Sequence, residues 1–313
     1  MKYVLKKVAG LIITLFIISL LTFFAFQVIP GDSALTSLGT HGTREAAEAL
    51  REEQGLNKPL LVRYGSWLSG VARGDLGTSL QYNMPVSKLL KDRIIVTFYL
   101  AVLSLIIIIV ISFPLGILTV KKEGGILDGL ITLLCQINMA IPPFFLGMLM
   151  TLFFGLILKI FTPGGYVPIQ ENFYGFLGYL FFPAVSIALP KAGMLIKFLR
   201  TSLLRELRLD YLRTAQSKGD TKHQILYKHV LKNGLIPVIT FFGMIIADIF
   251  AGSIMIEQVF SLPGLGRLLV TAISNRDFPV VSAIIMYIAA LIVFVNFIVD
   301  ILYQYIDPRV RLG

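Results

Sequence analysis

Long apolar runs separated by short polar segments are the dominant pattern of this chain. Six of them are present, at about residues 9–30, 95–120, 131–158, 177–198, 235–257 and 280–304. A helix needs about 20 apolar residues to cross the hydrocarbon core of a bilayer, so each run is long enough for one span. The pattern therefore predicts an all-α membrane protein in which one domain, residues 1–313, contains six transmembrane helices.

The composition agrees with a membrane protein and offers little for catalysis. Hydrophobic residues make up 56% of the chain and charged residues 15%, whereas about a quarter of the residues in soluble domains are charged. The sequence contains no GxxxxGK[ST] loop, HExxH pair or GxSxG elbow, so we expect no catalytic residue and no enzyme activity. Cys135 is the single cysteine and the three histidines lack ligand spacing, so we expect neither a metal site nor a cofactor.

Basic residues are distributed unevenly along the chain, and this predicts its orientation. Nine Lys or Arg residues lie between Lys197 and Lys232, against three acidic residues. The positive-inside rule places this loop in the cytoplasm, and it places both termini of a multi-pass protein of the cytoplasmic membrane there as well. Lys121 and Lys122 fall on the same side. This bias and anionic lipid of the bilayer account for the net charge of +10, so nucleic-acid binding is not expected.

The basic loop has the sequence of two helices that meet at a glycine. Residues 210–218 read as one short helix, and Gly219 can take the left-handed conformation that ends it. Thr221 and Gln224 have the spacing of a capping box that begins a second helix. That second helix has an apolar face, which is expected to enter a groove of another protein, formed by Ile225, Leu226, Val230 and Leu231.

This loop resembles the EAA loop of ABC importer permeases, in the branch that transports dipeptides, oligopeptides and nickel. Arg213, Thr214 and Ala215 occupy the Glu-Ala-Ala triplet of the general pattern, Gly219 is kept, and the proline is delayed to Pro237. These departures are typical of that branch. Other motifs of the branch are IPGD at 29–32, GDLGTS at 74–79, FSLPGLGRLL at 260–269, RDFPVV at 276–281 and DPRVR at 307–311.

The resemblance implies a type I importer permease that works by alternating access with several partners. These are a sister permease subunit, two cytosolic ATPase subunits and an extracytoplasmic substrate-binding protein. It also implies that residues 199–234 are the cytoplasmic coupling loop. The residues expected to couple the chain to the ATPases are Arg213, Thr214, Ala215, Lys218, Gly219 and Asp220.

Residues 31–93 separate the first two spans and are expected to form an external helical insertion. Residues 44–56 and 60–68 read as two short helices. A segment of this size cannot form a core of its own, so it is expected to pack on the outer ends of the spans. A surface that contacts the substrate-binding protein is compatible with this packing and is implied by the resemblance.

A second group of candidate residues belongs to the translocation pathway and its outer gate. Residues 261–267 contain Pro263, Gly264 and Gly266, which predicts a tight irregular turn, either an ordinary external turn or a loop that lines the pathway. Glu257 lies just before this turn. Asp248 lies near the middle of the fifth span, where an ionisable group suggests function. It could attract a cationic part of the substrate, or it could form an ion pair with Lys191.

Other functions remain open on the sequence alone. Within the importer family, nickel or a metal–chelator complex is the alternative to short peptides. Outside it, the alternatives are a stand-alone secondary transporter and a membrane scaffold. The six runs show no internal half-repeat, and secondary transporters are commonly built from such repeats.

Overall fold

The structure, a computed structural model, describes residues 2–28, 48 and 58–306. Within these residues the regular structure is helical, apart from an isolated bridge between Thr78 and Pro85. The helices are α1 (Lys2–Val28), α2 (Leu60–Ala72), α3 (Val86–Lys121), α4 (Ile126–Ala140), α5 (Pro143–Met150, continued by a π-helix over Thr151–Ile157), α6 (Phe173–Leu207), α7 (Tyr211–Ser217), α8 (Lys222–Val259), α9 (Leu265–Ser274) and α10 (Phe278–Ile306).

Five helices of the described residues are long and apolar enough to cross a membrane, namely α1, α3, α6, α8 and α10. They correspond to five of the six predicted spans. The predicted third span, 131–158, is not one continuous helix. It is divided into α4 and α5, which are bent by 97° at the break between them. The count reaches six if this bent pair is taken as one span.

Two adjacent prolines account for the break. Ile141 and Pro142 both have extended backbone, with ψ of 121° and 139°, and Pro143 is the first residue of α5. A residue before proline is excluded from the helical region by the proline ring, and proline itself cannot donate an intrahelical hydrogen bond. The chain must therefore leave α4 before Pro142 and can begin a new helix at Pro143.

The chain divides into two compact units. The first comprises the described parts of Met1–Thr97 and Pro263–Phe294. In it, the start of α3, helix α9 and the start of α10 share an apolar core that includes Leu90, Leu268 and Ile284. Helix α2 packs on α1, where the Tyr64 hydroxyl and Ser19 are hydrogen-bonded at 2.8 Å. Helix α2 begins at Leu60 as predicted, whereas the predicted helix over 44–56 lies outside the described residues except for residue 48.

The second unit comprises Phe98–Leu262 and the described part of Val295–Gly313, and α6 is its most buried span. Glycines let neighbouring helices approach α6 closely. A Cβ at Gly116 of α3 would lie 2.7 Å from the side chain of Leu199, and one at Gly234 of α8 would lie 2.7 Å from Leu203. Small residues at helix contacts are the usual means of tight packing between membrane helices. Helix α6 is thereby held against α3 and α8.

Candidate functional site

The predicted junction of two helices at Gly219 is confirmed. We call residues 210–230 the elbow. Its first helix, α7, ends at Ser217, and Gly219 follows with φ of +94°. A Cβ at this position would meet no heavy atom within 4 Å. Glycine is therefore required here by the backbone conformation and not by crowding.

The predicted capping box begins α8. The Gln224 amide donates to the Thr221 hydroxyl at 3.3 Å, and the Thr221 amide donates to the Gln224 side-chain oxygen at 2.8 Å. These bonds satisfy donors that are otherwise unpaired at a helix start. The direction of α8 relative to the turn is thus set by local chemistry.

Three hydrogen bonds hold the elbow in one shape. The side chains of Asp220 and His229 are hydrogen-bonded at 2.9 Å across the turn. The Tyr211 hydroxyl donates to Glu206 at 2.6 Å and accepts a hydrogen bond from Asn233 at 3.0 Å, which ties α7 to α6 and α8. Burial and, to a lesser extent, the hydrogen bond to Glu206 raise the pKa of Tyr211. Tyr211 thus stays a neutral hydroxyl that can make both bonds at physiological pH.

The apolar face of the elbow is buried within this chain, contrary to the prediction that it would enter a groove elsewhere. Its buried side chains are Leu212, Ala215, Ile225, Leu226 and Val230. The apolar face therefore anchors the elbow to its own spans, and any partner must contact the polar face.

The six predicted coupling residues are consequently divided between two faces. Arg213, Thr214, Lys218 and Gly219 are exposed, and the Arg213 side chain is 86% exposed. Ala215 is buried, and Asp220 is half-buried against His229. The first four are available to a partner, whereas the last two shape the elbow.

The second helix of the elbow is not a separate short helix. It runs from an α turn over Lys222–Gln224 through a π-helical segment over Ile225–Val230 into Leu231–Val259. The predicted fifth span, 235–257, therefore begins at the elbow itself. A displacement of the elbow would be a displacement of the end of this 38-residue helix.

Asp248 and Lys191 form an ion pair in the second unit, at 2.5 Å between α8 and α6. The Asp248 side chain is 54% exposed, and that of Lys191 is 16% exposed. The carboxylate is therefore paired and still accessible on one side. Pairing lowers the cost of two charged groups within a span.

The segment before the predicted outer turn is fixed within the second unit. Glu257 is fully buried in the last turn of α8, and its carbonyl accepts a hydrogen bond from the Leu262 amide at 2.9 Å. Tyr179 of α6 donates to the Phe260 carbonyl at 2.8 Å. Ser261 has φ of +55°, a conformation that non-glycine residues rarely adopt. The chain therefore leaves α8 through a tight turn.

The irregular turn is shorter than predicted. Gly264 is the N-cap of α9, and Gly266 lies inside this helix, so the prediction of irregular structure through Arg267 was wrong. In the first unit, the Leu265 amide donates to the Thr97 hydroxyl at 2.9 Å, which fixes the start of α9. The apolar residues Leu265, Leu268 and Ala272 recur at helical spacing and are buried. This ten-residue pattern is too short to register as a span.

Two of the sequence motifs meet at a buried carboxylate that sequence reasoning missed. Asp277 of RDFPVV is fully buried in the first unit. It accepts hydrogen bonds from the Ser79 hydroxyl at 2.5 Å and from the amides of Leu80 and Gln81 at 3.1 and 3.3 Å. Ser79 ends the GDLGTS motif. The only available signal was that both motifs lie in segments predicted to be on the same side of the membrane.

A second missed pair lies in the second unit. Arg200 of α6 donates two hydrogen bonds to Asp128 of α4, at 2.8 and 2.7 Å. The Asp128 side chain is only 6% exposed. Its signal in the sequence is an acidic residue at the start of an otherwise apolar run, which alone does not name its partner.

Comparison with known families identifies the family of this chain. The profile of the family described as "Binding-protein-dependent transport system inner membrane component" matches residues 112–312, and its N-terminal companion matches residues 1–101. The chain belongs to this family. It is thus a type I permease of the ABC importers, and the resemblance inferred from the elbow and the other motifs is confirmed.

Curated relatives of this permease match along nearly the whole chain. A putative peptide transport system permease protein of Brucella abortus is 38% identical over 308 residues, which is 98% of both chains. The oligopeptide transport system permease protein AppB of Bacillus subtilis is 35% identical over 312 residues, and the dipeptide transport system permease protein DppB of Alkalihalophilus pseudofirmus is 33% identical over 329 residues. Each of the latter two matches covers 99% of both chains.

Proposed function

We propose that this chain is a permease subunit of an ATP-driven importer that moves short peptides across the cytoplasmic membrane by alternating access. The observation that carries the proposal is the elbow. It exposes a polar face, and its second half is the start of an apolar 38-residue helix. The names of the relatives favour peptides over nickel or a metal–chelator complex as the substrate.

Membership of the family supports a complex with other components of an ABC importer. The proposed partners are a sister permease, two cytosolic ATPase subunits and an extracytoplasmic substrate-binding protein. Arg213, Thr214, Lys218 and Gly219 form the surface that an ATPase would contact. ATP can drive the transition only if it binds one conformation more tightly than the other. Docking of the ATPases at the elbow would give that preference to the permease.

The proposed pathway residues lie on the same helix and in the segment that follows it. Movement of the elbow would carry α8, which contains Asp248 and has the buried Glu257 in its last turn. The segment after α8 contains Pro263, Gly264 and Gly266, and we assign it to the outer gate. The accessible side of the Asp248 carboxylate would face the cationic amino terminus of a peptide.

The proposed orientation places the elbow and both termini in the cytoplasm. Its support is the positive-inside bias together with one contact. Lys121 lies 4.9 Å from the centre of the Tyr227 ring, so the basic turn between α3 and α4 and the basic elbow are on the same side of the second unit. Two segments that the charge rule assigns to one side are thus neighbours.

The test is to purify the assembled transporter through a tag on this chain and to reconstitute it in vesicles. We expect uptake of radiolabelled dialanine that requires ATP and the substrate-binding protein. Labelled nickel is measured in parallel. Dialanine uptake driven by an ion gradient without ATP would contradict the importer, and uptake of nickel instead of dialanine would contradict the substrate class.

A further inference from the structure

We propose that the turn between α3 and α4 is a second coupling contact, which passes the movement of the elbow to the bent helix pair α4–α5. We define the α3–α4 turn as residues 121–128. The inference rests on the proposed function and concerns the path of the movement within the second unit. Three contacts carry it, one buried and two exposed.

The buried contact is the pair of Asp128 and Arg200. Both guanidinium-to-carboxylate bonds are present, and the Gly124 amide donates to the same carboxylate at 3.0 Å. A planar guanidinium that binds both carboxylate oxygens permits one relative orientation of the two side chains. Since Asp128 lies in the first turn of α4, this end of α4 must follow the cytoplasmic half of α6.

The exposed contacts join the same turn to the elbow and its approach. Lys121 lies over the ring of Tyr227, which belongs to the π-helical segment at the start of α8. Glu123 lies 4.0 Å from Arg208, which follows α6. An exposed pair at this distance contributes little stability. The turn thus contacts the elbow at Tyr227 and the segment just before the elbow at Arg208.

The cytoplasmic half of α6 is in turn fixed to α8. The Ser202 hydroxyl donates to the Gly234 carbonyl at 2.7 Å, and the Phe198 and Phe241 rings are stacked 4.3 Å apart. A force on the elbow therefore reaches α4 by two routes. One passes through α6 and Arg200 to Asp128, and the other passes from Tyr227 to Lys121 and along the α3–α4 turn. The far end of α4 is the break at Ile141 and Pro142, where both residues have extended backbone. Pro142 and Pro143 have no N–H to donate, so the helical hydrogen-bond ladder is interrupted at this point.

Two kinds of variant test this contact in the reconstituted complex. Asp128→Asn removes the negative charge of the pair and leaves the charge of Arg200. Tyr227→Leu removes the aromatic face beneath Lys121, and Tyr227→Phe is its matched control because it keeps that face. The measurement is the amount of dialanine taken up per ATP hydrolysed, together with the yield of assembled complex.

We expect Asp128→Asn and Tyr227→Leu to lower uptake per ATP by about fivefold or more, the usual size of a coupling between sites. Tyr227→Phe should retain the ratio of the unsubstituted complex. If Asp128→Asn fails to assemble, the two Tyr227 variants decide. Equal ratios in all variants, or uptake and hydrolysis that fall in proportion, would overturn the inference. Absence of ATP-driven uptake in the unsubstituted complex would instead overturn the proposed function.

Discussion

Gly219 illustrates how one residue can set the geometry of a functional element. Since a Cβ at this position meets no neighbour, any cost of substitution comes from the positive φ of +94°. A β-branched residue pays at least about 1 kcal/mol for this conformation, whereas asparagine adopts it more readily. The position therefore allows a test of conformation that is free of steric clashes.

We predict that Gly219→Val inserts into the membrane but transports poorly, because the turn that presents the exposed face of the elbow is strained. Gly219→Asn is the matched control and should retain most of the uptake. The measurement is ATP-dependent dialanine uptake at equal amounts of assembled complex. Normal uptake by Gly219→Val would show that the left-handed turn is not needed for coupling.

A second prediction concerns the Asp248–Lys191 pair. Asp248→Asn should reduce uptake because the accessible carboxylate oxygen is lost, but it also leaves Lys191 without its partner. The double variant Asp248→Asn/Lys191→Met removes both charges and so avoids an unpaired buried charge. We expect the double variant to assemble normally and still transport poorly. Recovery of uptake in the double variant would show that the ion pair has only a structural role.

A third prediction concerns Asp277. Asp277→Asn keeps the size of the side chain but places an amide group where the carboxylate accepts three hydrogen bonds. A hydrogen bond to a charged group contributes about 1.5–3 kcal/mol to stability. Because the substitution weakens or removes such bonds, thermal unfolding of the detergent-solubilised protein should occur at a clearly lower temperature. Gln81→Ala is the control, since its side chain makes an exposed bond to Asn275. Equal destabilisation by the two variants would contradict a special role of Asp277.

At the scale of the elements, the sequence indicated the local contacts that form the elbow. It did not indicate that the second helix of the elbow continues into the following span. Thr221, Gln224 and Gly219 act within a few residues of one another, so their pattern predicted the elbow correctly. The continuity of the elbow with α8 was missed because polar residues such as Lys228 and Lys232 interrupt the apolar run although the backbone stays helical. The residue at which an apolar run begins or ends is thus not always the residue at which the helix begins or ends.

The capping box gives a prediction at this scale. Thr221→Ala removes the acceptor for the Gln224 amide and should destabilise the first turn of α8 by about 1 kcal/mol. Amide hydrogen exchange over residues 222–226 should therefore become faster, while exchange in the middle of α8 stays unchanged. Thr221→Ser, which keeps the hydroxyl, should exchange as the unsubstituted protein does. Unchanged exchange in Thr221→Ala would show that tertiary packing, and not the cap, holds this turn.

At the scale of the whole molecule, the motifs identified the family, but the pairing between distant segments required the structure. Asp277 and Ser79 are 198 residues apart, and Arg200 and Asp128 are 72 apart. A single sequence has no periodic signal for contacts at such separations. The bend of 97° between α4 and α5 was likewise foreseeable only as an interruption by prolines, because proline fixes where a helix ends but not the angle at which the next helix begins.

Orientation in the membrane is the last prediction and is open to direct labelling. Cys135 is the single cysteine and is buried, so the unsubstituted protein is the background control for a membrane-impermeant maleimide. Lys218→Cys and Lys122→Cys place exposed thiols on the elbow and on the α3–α4 turn. They should be protected in intact cells and labelled in inverted vesicles. Gln81→Cys, beside Asp277, should show the opposite pattern. Labelling of Lys218→Cys from outside intact cells would contradict the proposed orientation, and with it the access of any cytosolic ATPase to the elbow.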